Sequence, residues 1–123
     1  MEIKNMENRK TAERIARYAD MFAAMGNDAR LRIMRLLLSA HPGGVIAGEI
    51  QTSLSIPKST LSHHLVKLKQ EKLIQVRRNG TFLWYAANTG ALQEILNFLY
   101  AECCTRTSAL NPDQIGSGTE NER

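Results

Sequence analysis

The chain has 123 residues, 43% of them hydrophobic, and a formal charge of +4; this is enough for one compact core and leaves no room for a second. No apolar run approaches the ~20 residues that span a bilayer, and the polar start from Met1 to Arg14 lacks a signal peptide's apolar stretch, so a cytoplasmic protein without a membrane partner is expected. The only two cysteines, Cys103 and Cys104, are adjacent, which excludes a disulfide framework joining distant segments.

Residues 1–9 are polar without a sustained period and read as a disordered lead-in. Ile15, Ala19, Phe22 and Ala23 then recur at helical spacing and predict a first helix from about Thr11 to Met25, ended by Gly26. Asn27 or Asp28 can cap a second helix, marked by Leu31, Met34, Leu37 and Leu38, which His41-Pro42-Gly43-Gly44 breaks. Ile46, Ile50 and Leu54, four apart, predict a third helix over Val45 to Leu54. Ser55-Ile56-Pro57 turns into a fourth, which runs to about Glu71. Leu73–Arg78 and Thr81–Ala87 are β-type runs on either side of Asn79-Gly80, a two-residue hairpin signal. A fifth helix, about Ala91 to Arg106, carries Leu92, Ile95, Leu96 and Leu99 with Phe98 and Tyr100 beside them. That stripe needs a partner, and with the first helix it is assigned to a symmetric homodimer interface. Residues 108–123 are rich in Gly, Ser, Asn, Asp and Glu and read as a disordered tail, leaving 10–107 as the folded domain.

This order of elements is mainly α with a β-hairpin: a winged helix-turn-helix of five helices and a two-stranded wing, whose fourth helix enters the major groove of DNA. Charge placement agrees. Lys58, Lys67, Lys69, Lys72, Arg77 and Arg78 stand against Glu71 alone, a local excess of +5 that exceeds the charge of the whole chain. With Leu61, Leu65 and Leu68 turned to the core, the fourth helix offers Lys58, Ser59, Thr60, Ser62, His63 and Lys67 to base edges and phosphates. Arg77 and Arg78 sit beside the hairpin tip, where a wing meets the adjacent backbone or minor groove. His64 flanks the leucines and reads as a hydrogen-bonded core or interface histidine, and Trp84 with Tyr85 as packing for the hairpin. There is no Cys-X-X-Cys, no glycine-rich phosphate loop and no acid–base pair, so no enzyme and no required cofactor are expected.

The segments Asp28-Ala29-Arg30-Leu31-Arg32-Ile33-Met34-Arg35-Leu36-Leu37 and Pro57-Lys58-Ser59-Thr60-Leu61-Ser62-His63-His64-Leu65-Val66-Lys67-Leu68, continued by Leu73 to Gly80 and Tyr85, resemble the ArsR family of metalloregulatory repressors over about residues 15–105. The resemblance implies a dimer that binds a palindromic operator on double-stranded DNA and leaves it when an inducer binds. It departs from relatives with a Cys-Val-Cys inducer site, because Val45 to Ile50 holds no thiol, and from zinc-binding relatives, because the last helix holds no histidine. Cys103 and Cys104 match members that respond to trivalent arsenic or antimony, and neighbouring thiolates suit such a soft ion. Arsenite prefers three sulfurs, so either the third ligand comes from water or an outside thiol, or the inducer is a methylated trivalent arsenical that needs only two. A redox or reactive-sulfur sensor on the same cysteines is the alternative reading.

Overall fold

The computed structural model describes residues 2–104, with side chains over 8–101. The described backbone divides into two units, one ending at Ala91 and the other beginning at Leu92. In chain order the elements are α1 (Glu2–Met25), α2 (Asp28–Ser39), β1 (Val45–Ile46), α3 (Ala47–Leu54), α4 (Lys58–Gln70), β2 (Ile74–Asn79), β3 (Phe82–Ala87) and α5 (Thr89–Cys104). The winged helix-turn-helix architecture is the one expected.

Three differences are local. Helix α1 begins at Glu2, so residues 2–9, expected as a lead-in, are helical; no glycine or proline interrupts the chain before Gly26. The expected third helix is shorter, because Val45 and Ile46 form a strand paired with Tyr85 and Trp84 of β3. The wing is therefore part of a three-stranded antiparallel sheet of order β1-β3-β2. The hairpin loop is Gly80-Thr81, one residue later than expected, because Asn79 pairs with Phe82; Gly80 takes φ +68°, which glycine adopts without a Cβ penalty. The expected tail, 108–123, lies outside the described residues.

The core of the first unit gathers Tyr18 and Met21 of α1, Ile33, Met34 and Leu37 of α2, Ile50 of α3 and Leu61, Leu65 and Leu68 of α4, joined by Leu73 and Ile74. The residues that mark the helical spacing are not all in this core; on α2 Met34 and Leu37 are. Ile15, Phe22, Leu31 and Leu38 are exposed.

Capping fixes the ends that matter. Asn27 Oδ1 accepts the Arg30 amide at 3.0 Å and starts α2. Helix α3 ends at Ser55 with φ 55°, and the Ile56 amide returns to the Gln51 carbonyl at 3.2 Å, which sets the tight turn into α4. Helix α4 ends with Lys72 at φ 59°, the Leu73 amide reaching the Leu68 carbonyl at 3.0 Å and the Lys72 amide that of Lys69 at 2.9 Å. These paired bonds are a Schellman stop, with buried Leu73 over buried Leu68. Asn88 completes the exit: its side chain donates to the Lys72 carbonyl at 2.8 Å, and its Oδ1 accepts the Ala91 amide at 3.2 Å.

Candidate nucleic-acid interface

Helix α4 is seated by its leucines. Leu61, Leu65 and Leu68 are at most 5% exposed, and at 3.6 residues per turn the opposite face carries Ser59, His63, Val66, Lys67 and Gln70. All five are exposed, and no carboxylate lies among them. A hydroxyl, an imidazole, an ammonium and an amide can each hydrogen-bond to base edges or phosphate oxygens.

The remaining expected contacts of α4 lie around this strip. Lys58 stands exposed at the helix start. Thr60 is exposed on the flank that carries Glu71, and Lys67, on that edge of the strip, lines a recess with Glu71, Asp20 and Arg30. Lys69 lies on the other flank, where a groove between α4 and the hairpin is walled by Ser62, Leu65, Val66, Val76, Leu83 and Tyr85. Reading the helix by polarity passes over Val66, and the expected contacts leave out Gln70; the angular position around α4 is the signal that finds both.

The hairpin separates the two arginines. Successive strand residues point to opposite faces. Arg78 pairs across to Leu83 and Val76 to Tyr85, so Arg78 shares the face whose side chains wall the groove against α4. Arg77, paired with Trp84, points the other way, and its Nη2 donates to the Gly43 carbonyl at 3.4 Å. Both arginines are exposed.

One contact ties α4 to its support. Arg30 of α2 donates from Nε to the Ala24 carbonyl at 2.6 Å and meets His64 Nδ1 with Nη1 at 3.3 Å. As an acceptor for a guanidinium, Nδ1 must be unprotonated. Burial first, then the positive charge of Arg30 and the neighbouring His63, lower the His64 pKa from its ordinary 6.5. His64 is thus a structural histidine, as its place beside the leucines suggests, while His63 one residue earlier faces outward.

The expected inducer ligands, Cys103 and Cys104, fall in the last turn of α5; their side chains lie outside the described residues. Among the described residues no three His, Cys, Asp or Glu side chains come together as a metal site. None of the described helices is long and apolar enough to cross a membrane.

Comparison with known proteins agrees with this geometry. A family model described as a helix-turn-helix domain matches residues 25–77, from the end of α1 into β2. The transcriptional repressor SdpR of Bacillus subtilis is 36% identical over 80 residues, 65% of this chain and 86% of that protein. The arsenical resistance operon repressor of Staphylococcus aureus is 29% identical over 75 residues, 61% of this chain and 69% of that protein. A solution structure from Mycobacterium bovis, the homodimeric winged helix-turn-helix DNA-binding domain of a possible ArsR-family transcriptional regulator, matches with TM-score 0.62 at 22% identity, over 83% of this chain and 93% of that one. Fold and sequence relatives agree, and the chain belongs to the ArsR family of winged helix-turn-helix transcriptional regulators.

Proposed function

We propose that this regulator is a cytoplasmic homodimeric repressor that occupies a palindromic operator and leaves it when a trivalent arsenical, arsenite, antimonite or a methylated form, binds Cys103 and Cys104. The observation that carries the DNA-binding half is the outward strip of α4, with five exposed residues, Lys67 among them, no carboxylate, and Lys69 on the hairpin flank. A dimer sets two copies of α4 into successive major grooves about one helical turn apart, with the wings on flanking DNA, and blocks polymerase there. The dimer reading draws on exposed apolar side chains on two helices: Ile15 and Phe22 on α1, and Leu96 and Leu99 on α5.

Support for the inducer is chemical. The chain's two thiols stand side by side, and thiolates select soft ions. Both fall in the last turn of α5. Neighbours on an ideal helix point about 100° apart, so chelation of one atom by both sulfurs requires that turn to open, and a helix end opens cheaply. Arsenic ligation then distorts a helix of the dimer interface and shifts the spacing of the reading heads. The likeness to the staphylococcal arsenical repressor adds to this reading.

The test is fluorescence-anisotropy titration of the reduced protein on its own upstream DNA with arsenite, methylarsenite, zinc and peroxide, beside a Cys103→Ser, Cys104→Ser variant. A trivalent arsenical should weaken binding by about 5–150-fold, the usual range of allosteric coupling, and the variant should stay bound. Release by peroxide alone would replace the arsenic reading with the redox one. Binding indifferent to all four agents would remove the inducer proposal, and absence of DNA binding would remove the repressor.

A further inference from the structure

Val66 is an anomaly on α4. It sits on the hairpin-side edge of the outward strip, between His63 one turn earlier and Gln70 one turn later, and is 53% exposed. A β-branched residue inside a helix gives up side-chain freedom relative to a straight-chain one, and here it recovers little by burial in the free protein. Toward solvent its neighbours are polar or basic: Ser62, His63, Lys67, Lys69 and Gln70. The solvent side of the surface around it therefore suits a polyanion. Val66 also walls the groove of about 240 Å³ between α4 and the hairpin, whose far side carries Leu83, 37% exposed, and Tyr85.

We propose that Val66 is a specificity residue that reads the 5-methyl group of a thymine in the major groove, a step that rests on the DNA-binding reading above. The major-groove edge of a duplex presents one apolar group, the thymine methyl, beside hydrogen-bond donors and acceptors. A helix that sets an apolar side chain among hydroxyl, imidazole and amide groups can therefore demand thymine at one step while its neighbours take polar edges. Val66 is near the middle of the 13-residue helix, and from the strip's edge it reaches the groove floor while Lys69 and Arg78, farther toward the hairpin, meet phosphates. In a dimer the demand occurs once in each half-site.

The test uses the full-length protein and a duplex that it enriches from a random-sequence pool. Each thymine is replaced in turn by deoxyuridine, which removes only the methyl, and affinities are measured for the wild type, Val66→Ala and Val66→Thr. At one symmetric position the replacement should weaken wild-type binding about fourfold per half-site, the worth of one buried methyl, or about fifteenfold for both. The same replacement should cost Val66→Ala less than about twofold, and Val66→Thr, which keeps one methyl and the branched shape, should fall between. The slope of affinity against salt should be the same in all three proteins, because no phosphate contact is altered. If every uracil scan has the same profile with alanine as with valine, or if the enriched half-site has no thymine under α4, Val66 is not a reader. If no duplex is enriched, the DNA-binding reading fails and this one with it.

Discussion

His63 and His64 are neighbours with opposite surroundings, one exposed on the reading strip and one tucked beside Arg30. The His64 pKa is lowered by burial, then by Arg30 and His63. The folded state therefore takes up this proton less readily than the unfolded chain. The contribution to stability is full above the ordinary value of 6.5 and falls away as pH drops from there through the lowered folded value. In an NMR titration the His64 ring should have its midpoint below 6.5, and Arg30→Ala should raise it by removing a nearby positive charge. Arg30→Ala should also destabilise the fold by about 1–3 kcal/mol in urea unfolding, since the Ala24 carbonyl and His64 Nδ1 are both left without this donor. Thermal melts of that variant should depend less on pH between about 5 and 7.5 than those of the wild type. A His64 midpoint that stays put in the variant would show that the guanidinium does not act on the ring. The leucine spacing of α4 already separates the two histidines, since position 64 lies nearer the buried stripe. The guanidinium that meets His64 comes from 34 residues away, and no local pattern shows it.

Among the elements, legibility follows how local the determinants are. The hairpin is encoded by two β-type runs and a glycine, and α4 by leucines at i, i+4 and i+7; both can be read from sequence to within a residue or two. Strand β1 is not legible, because two residues carry no period. Val45 and Ile46 are extended through their pairing with β3, and Gly44 before them takes φ +88° with the Tyr85 carbonyl 3.0 Å from where a Cβ would stand. That close approach is a tertiary fact. The wing holds a second one. Adjacent arginines look equivalent in sequence, yet alternation puts Arg78 on the face that closes on α4 and Arg77 on the other, within reach of the Gly43 carbonyl. Arg78→Ala should therefore lower the slope of log affinity against log salt by about 0.9 for each phosphate it leaves unneutralised, or nearly 2 for a dimer. Arg77→Ala should leave that slope close to the wild-type value. Equal effects of the two substitutions would show that both faces of the wing meet DNA.

For the whole molecule the informative misfit is which apolar stripe faces inward. Helix α1 is apolar on two sides: Tyr18, Met21 and Ala24 are buried, while Ile15 and Phe22, seven apart, are 50% and 36% exposed. Periodicity sees both stripes and cannot tell which one the chain's own core will take. On α5 Ile95 is 1% exposed while Leu96 and Leu99 exceed half exposure. A second copy of the chain is the occupant that the proposed two-headed mechanism needs for these surfaces, and this gives a test that keeps folding and assembly apart. Ile15→Glu and Leu96→Glu each place a charge on a surface already exposed in the single chain, so helix content and melting of the separate chains should hold. Sedimentation should show the wild type as a dimer and each variant as a monomer at micromolar concentration. Removing the second reading head should cost about 10²–10⁴ in operator affinity, the usual worth of an intramolecular second contact. It should also halve the salt slope, since half of the phosphate contacts go with it. A folded variant that stays dimeric and keeps its full slope would move the dimer interface away from these stripes, whereas a monomer with undiminished affinity would show that one α4 suffices.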